Sequence, residues 1–372
     1  MTDDRALRIV IAGGGTGGHL FPGIAVAREL LARRPGAQIS FAGTARGLEA
    51  RAVPREGFEL DLIRSGGLKG KSVGSTLRGI GLLPLSVVDA WRIVSRRRPD
   101  LVIGVGGYSS GPVVLVAAVR GTPTMLLEQN AVPGLTNRIL ARFVRAAAVT
   151  FEETVQFFGN KAFVSGNPVR PEFIGRTASG EETRASESSG DVEVLIFGGS
   201  QGAHAINLAM VAAAPQLAAG GTRVHLTHQT GERDVAVVRD AYQRAAVRAD
   251  VEPFLFDMAE RMRAAHVIVC RAGSTTLSEI AAIGRAAVLV PLPTATDDHQ
   301  RRNAEALVAA GAAEMLLQTD ATGEALAARI LGLAQDRERR ARMAAAVRAM
   351  ARPDAAQRIV DRALTLTGQR PA

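Results

Sequence analysis

The sequence predicts an α/β protein made of two doubly wound parallel-sheet domains, on three observations. Short apolar runs alternate with longer amphipathic runs along the chain, the pattern of strands joined by crossover helices. A glycine-rich turn between a strand and a helix stands near the start, at Gly13-Gly14-Gly15-Thr16-Gly17-Gly18-His19. A second such turn opens the second half, at Gly198-Gly199-Ser200-Gln201-Gly202-Ala203. A length of 372 residues suits two domains of roughly 100–200 residues each. A hydrophobic content of 47% is enough for two cores.

In order along the first half, Ile9–Ala12 reads as a buried strand and Ile24–Leu31 as an amphipathic helix. Further strands are expected at Gln38–Ala42, Leu101–Val105, Thr124–Glu128 and Ala147–Thr150. Such alternation gives a parallel sheet with right-handed crossovers, which binds ligands at the carboxyl ends of its strands. His19, Gly106-Gly107-Tyr108 and Glu128-Gln129-Asn130 each follow a strand and so belong to that edge. Asn167-Pro168-Val169-Arg170-Pro171 reads as a hinge, which bounds a first domain of residues 1–168. Residues 175–190 are rich in Ser, Glu, Gly and Thr and read as a flexible surface segment. In the second domain, residues 169–353, strands are expected at Val192–Phe197, Arg223–Thr227, Val251–Phe254, Val267–Cys270 and Val288–Val290. Pro353 interrupts an Ala/Arg-rich helical stretch. The last helix, within residues 354–372, therefore starts afresh near Asp354 and is expected to pack back on the first domain.

The net charge of +9 is uneven: residues 1–170 carry +10 and the remainder −1. A cationic first half points to nucleic acid, an anionic membrane surface or phosphorylated substrates. Aromatics make up only 4% of the chain, which argues against a base-stacking nucleic-acid platform. Residues 69–98 place an apolar run, Gly79 to Val88, between Lys69, Lys71 and Arg78 on one side and Arg92, Arg96, Arg97 and Arg98 on the other. That pattern suits an anionic membrane interface, and equally a core helix with solvated arginines. Cys270 is the one cysteine, so internal disulfides and cysteine metal clusters are excluded; it reads as a buried strand-end thiol. With no signal peptide and no run of roughly 18 apolar residues, a cytosolic chain with at most peripheral membrane contact is expected.

Two glycine-rich turns that open helices offer free N–H groups and positive dipole ends, which suit a nucleoside diphosphate without a metal. No Asp-x-Asp occurs and no ligand set has metal spacing, so no tightly bound metal is expected. Asp297-Asp298-His299 could in principle ligate a metal, but reads more readily as a loop and helix cap. A third helix start holds Ser274, Thr275, Thr276, Leu277 and Ser278, followed by Glu279, whose carboxylate can accept a ribose diol. Gln300 and Asn303 carry amides suited to sugar hydroxyls. His19 is a group that titrates near neutral pH in a substrate turn.

Seven stretches then occur in one order: Gly14 to His19, Gly106 to Pro112, Glu128 to Asn130, Gly166 to Arg170, Gly198 to Ala203, Arg271 to Glu279, and Asp298 to Gln300. Together the chain resembles the bacterial undecaprenyldiphospho-muramoylpentapeptide β-N-acetylglucosaminyltransferases of glycosyltransferase family 28. The resemblance implies a GT-B fold, two Rossmann-like domains with an interdomain cleft. It implies inverting transfer of N-acetylglucosamine from UDP-N-acetylglucosamine to the 4-hydroxyl of the muramoyl sugar of lipid I, giving lipid II at the cytoplasmic face of the cell membrane. By position, Ser200 would hold the donor diphosphate, Arg170 would reach the donor, and Phe256 would pack beside uracil. Ser274 to Ser278 would contact phosphate, Glu279 the ribose and Gln300 the sugar hydroxyls. Thr16, Gly17, Gly18 and Asn130 would also bind the donor, while Gly14, Gly15, Gly106, Gly107 and Tyr108 would meet the acceptor. The reaction needs a base for the acceptor hydroxyl, with His19 the first candidate and Glu128 the second, as base or orienter.

A nicotinamide-dependent oxidoreductase would explain one glycine turn but not the second. A UDP-sugar epimerase on the same fold would need no lipid acceptor. A non-enzymatic membrane- or nucleic-acid-binding protein would explain only the basic half.

Overall fold

The structure, a computed structural model, describes residues 5–45, 47–66, 73–174, 190–199 and 202–369, with backbone only for 73–80. Lys69, Lys71, Ser200, Gln201 and residues 175–189 of the Ser/Glu-rich segment lie outside the described residues, as does the side chain of Arg78. The chain divides into two compact units, residues 1–169 with 352–372, and residues 170–351.

The first unit holds β1 (Arg8–Gly13), α1 (Gly17–Arg33), β2 (Gln38–Gly43), α2 (Glu49–Arg55), β3 (Glu59–Leu62) and α3 (Val73–Arg97). It continues with β4 (Leu101–Gly106), α4 (Ser110–Val119), β5 (Thr124–Glu128), α5 (Leu135–Leu140), β6 (Ala146–Val149) and β7 (Ala162–Val164). All pairings are parallel, in the order β3-β2-β1-β4-β5-β6-β7. The order reverses between β1 and β4, the crevice at which such sheets bind ligands. There the register shifts: Ala12 pairs with Gly104 but Gly13 with Gly106, a bulge at the strand ends. Every residue of β4 is buried, as expected for a central strand covered on both faces.

The second unit holds β8 (Val192–Phe197), α6 (His204–Ala219), β9 (Val224–Gln229), α7 (Val235–Arg244), β10 (Arg248–Glu252), α8 (Met258–Ala264) and β11 (Val267–Cys270). It continues with α9 (Ser274–Ile283), β12 (Ala286–Leu289), α10 (His299–Ala309), β13 (Glu314–Met315), α11 (Gly323–Gln335) and α12 (Arg337–Ala349). Its parallel sheet runs β10-β9-β8-β11-β12-β13, the same order of strands. Val194, Ile196, Met210, Leu226, Val267 and Ile330 are among its core. The chain breaks helix at Asp336, whose side chain accepts from Arg339 N at 2.8 Å, as well as at Pro353.

The last helix, α13 (Ala355–Leu366), lies in the first unit. Its Ile359, Val360, Ala363 and Leu364 are buried with Leu20, Leu30 and Ile103 in one core. Arg33 of α1 bonds Asp361 on its polar side.

Three strands go beyond the expected set: β3, β7 and β13. Strand β10 also lies earlier, at Arg248–Glu252 rather than 251–254. Both β3 and β10 are edge strands carrying charge on one face, which masks their apolar signal.

Candidate functional site

In the first unit the glycine turn is held from two sides. Gly13, Gly14 and Gly15 have φ of 138°, 144° and 86°, backbone that favours glycine. Gly14 N donates to Gly106 O at 3.4 Å. The His19 ring lies on Gly106, where an added Cβ would come within 2.7 Å of its Cδ2. Nδ1 of His19 is 3.2 Å from Thr16 Oγ1. A Cβ at Gly107 would meet Gly14 O at 2.7 Å. Thus Gly14, Gly15, Thr16, Gly17, Gly18, His19, Gly106 and Gly107 form one constellation at the β1/β4 switch point, with Tyr108 following.

Beneath the turn sits Glu49, a residue the sequence reading passed over. It is buried, and its Oε2 accepts from Gly15 N at 2.8 Å. Its Oε1 accepts from Thr44 N at 2.9 Å and Thr44 Oγ1 at 2.8 Å. Burial alone would raise its pKa, but these donors hold the carboxyl below its usual range. Gly14, Gly43 and Gly47 all lie so close to it that a Cβ would come within 2.7 Å. Two glycines, Gly43 and Gly47, between the end of a strand and a lone Glu were the available signal.

Glu128 ends β5 and is buried. Its Oε1 accepts from Asn130 N at 3.0 Å and Asn130 Nδ2 at 3.2 Å. Its Oε2 accepts from Gly134 N at 3.2 Å and Asn137 Nδ2 at 2.8 Å. Burial pushes its pKa above the ordinary value, and the four donors offset this only in part. With both oxygens engaged by its own loop, Glu128 is built to orient Asn130. Gln129 ties this loop to β4 through Nε2 and Val105 O, 3.1 Å.

The second unit repeats the strand–turn–helix with different supports. Gly202, at φ 73°, lies against Thr230 O, where a Cβ would come within 1.9 Å. Gln229 Nε2 donates to Gly199 O at 2.8 Å, and its Oε1 accepts from Leu255 N at 2.9 Å. This buried glutamine, missed in the sequence, links the turn to the loop carrying Phe256. Phe256 is 93% exposed and edge-on to Phe254, with centroids 4.8 Å apart. So large an exposed ring offers a flat apolar surface to a base. Asp234 holds the first turn of α6, with Oδ2 2.9 Å from His204 Nδ1 and accepting from Asn207 Nδ2 at 2.8 Å. Behind it His228 contacts Asn207 Oδ1 at 3.1 Å and Tyr242 OH at 2.8 Å. Burial pushes the His228 pKa down to about 3.

Arg170 and Glu279 come together in the second unit. Glu279 Oε1 accepts from Arg170 Nη2 at 2.9 Å and Nε at 3.1 Å. Burial raises the Glu279 pKa and Arg170 partly offsets it. Arg170 also lies over the Phe173 ring at 4.6 Å. At the start of α9, Ser274, Thr275 and Thr276 surround the helix N-terminus, and Thr275 Oγ1 is a buried oxygen with no partner among the described residues. Ser278 Oγ donates back to Ser274 O at 3.0 Å. Leu277 is different: its side chain is buried and its N–H bonds Gly273 O at 3.0 Å, so it serves the helix. Gln300 Oε1 accepts from Leu292 N at 3.0 Å, which leaves its Nε2 as the donor end for a ligand. Asp297 and Asp298 adopt φ of 55° and 54° in the loop before α10. Cys270 is buried at the end of β11, and burial pushes its thiol pKa up. No group of three His, Cys, Asp or Glu among the described residues is arranged to hold a metal ion.

On α3, Leu83, Leu85, Val87, Val88 and Trp91 are exposed. Arg96 and Arg97 bind Asp61, so part of the expected basic flank is neutralised locally. No helix among the described residues is long and apolar enough to cross a membrane.

Two family models match the chain: the glycosyltransferase family 28 N-terminal domain over residues 9–149 and the C-terminal domain over residues 193–359. A curated protein of Pelobacter propionicus is 47% identical over 97% of this chain and all of its own length. It is named UDP-N-acetylglucosamine–N-acetylmuramyl-(pentapeptide) pyrophosphoryl-undecaprenol N-acetylglucosamine transferase. One of Anaeromyxobacter sp. strain K with the same name is 46% identical over 98% of this chain and 94% of its own. The crystal structure of Acinetobacter baumannii MurG matches with TM-score 0.79 at 32% identity, covering 95% of this chain and 98% of that one. A putative UDP-N-acetylglucosamine 2-epimerase of Listeria monocytogenes matches with TM-score 0.68 over 98% of this chain and 99% of that one, at 14% identity, a likeness of fold alone.

Proposed function

The chain belongs to glycosyltransferase family 28, and on that premise we propose that it transfers N-acetylglucosamine from UDP-N-acetylglucosamine to the 4-hydroxyl of the muramoyl sugar of a pyrophosphoryl-undecaprenol acceptor. The anomeric carbon is inverted and UDP leaves. The observation that carries this reading is the end-to-end match, at 47% identity, to a protein named for that reaction.

The donor half-site is the second unit. The turn Gly198–Ala203 leading into α6, and the start of α9 at Ser274, supply N–H groups and dipole ends to the diphosphate, with Ser200 and Thr275 as hydroxyl donors. Glu279, steadied by Arg170, accepts the ribose hydroxyls, and Phe256 packs beside uracil. Gln300 donates to the sugar through Nε2. Thr16, Gly17, Gly18 and Asn130 serve the transferred sugar, with Glu128 holding Asn130 in place. Gly14, Gly15, Gly106, Gly107 and Tyr108 receive the acceptor.

In the chemical step the acceptor oxygen bonds to the anomeric carbon as the bond from that carbon to the UDP oxygen breaks. The hydroxyl proton passes to the imidazole of His19, and the electron pair of the broken bond goes to the diphosphate. Charge compensation by helix ends lets the transfer proceed without a bound metal. The exposed face of α3 rests on the cytoplasmic leaflet of the cell membrane, with Arg92 toward anionic lipid.

The deciding experiment incubates the protein with UDP-N-acetylglucosamine and a lipid I analogue. A disaccharide product that forms equally with a chelator present is expected. Release of a 2-epimer, or of no disaccharide, would refute the reading.

A further inference from the structure

Tyr108 also forms part of an apolar groove of about 150 Å³ in the first unit. Its other walls include Leu83 and Val87 of α3, Leu115 of α4, and Thr136 and Ile139 of α5. Ser86 lies in this wall too, but its hydroxyl is turned onto the backbone, within hydrogen-bond reach of Arg64 O and of Leu82 O at 3.0 Å. The groove therefore asks little polar contact of an occupant.

The groove begins where the glycine turns end. Tyr108 directly follows Gly106 and Gly107, which pack on the His19 ring and the Gly14 carbonyl. A molecule reaching from the start of α1, at those turns, along Tyr108 passes from a helix N-terminus into a largely apolar channel. An amphiphile with its anionic group next to a hydrocarbon chain matches that sequence of surfaces. We propose that the groove seats the first isoprene unit of the acceptor's polyprenyl chain, adjacent to its diphosphate; this rests on the function proposed above. The volume agrees, since an apolar cavity of roughly 150 Å³ takes benzene, a six-carbon ligand, and an isoprene unit has five carbons. The groove is distinct from a flat membrane contact. Leu83 and Val87 are four residues apart on one helix face, whereas Leu85 is about half a turn away. One face of α3 thus walls the groove while another stays free for lipid.

The test uses the whole protein without vesicles or detergent. Two acceptors share the diphosphate–muramoyl–pentapeptide head and carry either a farnesyl chain or a methyl group. The wild type should favour the farnesyl acceptor in kcat/KM by roughly tenfold, the expected yield of burying a few carbons. Ile139→Ser, which removes an exposed wall, and Leu115→Phe, which fills the channel, should each cut that preference to about twofold. Val119→Ser, on the solvent side of α4, should leave it intact. In the wild type, farnesyl diphosphate should compete with the acceptor at least tenfold better than inorganic diphosphate. An equal response to the two diphosphates, or a chain preference untouched by both wall variants, would overturn the groove assignment. No transfer to either acceptor would instead overturn the transferase reading.

Discussion

The two glycine-rich turns share strand, turn and helix, yet they rest on opposite electrostatic supports. Behind the first turn a buried carboxylate, Glu49, takes the Gly15 N–H for itself. Behind the second a neutral amide, Gln229, takes a carbonyl, Gly199 O, while the acid nearby, Asp234, binds side chains of α6. An anion-receptive turn keeps its N–H groups for the ligand. The first turn has given one away to an internal anion, so it is the poorer diphosphate cradle. What it has instead is His19 held between Thr16 and Gly106. Two similar backbones are thus divided between reacting and holding.

The sharpest way to break this comparison is His19→Ala. It should lower turnover by roughly 10²–10⁴-fold, the worth of a general base, with UDP affinity by calorimetry changed less than about twofold. Near-normal turnover would remove His19 from the chemistry. Next comes the holding side. Arg170→Ala removes the cation beside buried Glu279 and should weaken UDP binding about tenfold or more; because solvent already screens the half-exposed guanidinium, stability should fall by only about 1 kcal/mol. An unchanged titration would place the ribose elsewhere. Glu49→Gln keeps the shape but loses the charge, and should destabilise by about 1–3 kcal/mol in denaturant unfolding. Its loss of turnover should exceed its loss of UDP affinity; the reverse order would contradict the division of roles.

A further effect concerns pH. His228 is folded at a pKa near 3, well below an unfolded histidine. Its contribution to stability is therefore complete above the unfolded value of about 6.5 and declines as pH falls toward 3, by at most about 1.4 kcal/mol per pH unit. His228→Asn should flatten the unfolding free energy between pH 4 and 6.5 by about one proton. A slope identical to wild type would assign that dependence to another group.

The parts of this division that the sequence discloses are those written locally. A strand, a run of glycines and an amphipathic helix lie within 25 residues, so both turns and the α9 start are legible from periodicity and residue type. Strand β3, Glu59-Leu60-Asp61-Leu62, is not, because its period-2 pattern spans only four residues. Strand β13 has two. The supports are hidden for another reason. Glu49 meets Gly15 across 34 residues, and Gln229 meets Gly199 across 30. A buried hydrogen bond leaves no periodic trace in either partner. For Glu128 the residue type suggested either a base or an orienter; only the four donors around it favour the second.

Cys270 has a practical consequence. As the single thiol, buried at a strand end and held protonated by that burial, it should be inert to maleimides and alkylating agents. The natural chain therefore behaves toward such reagents as though it had no cysteine. A cysteine introduced on the exposed face of α3, at Leu85 for example, or beside Phe256, would be the sole site of labelling. A fluorophore or spin label could then report lipid contact or nucleotide arrival on a background needing no further substitution.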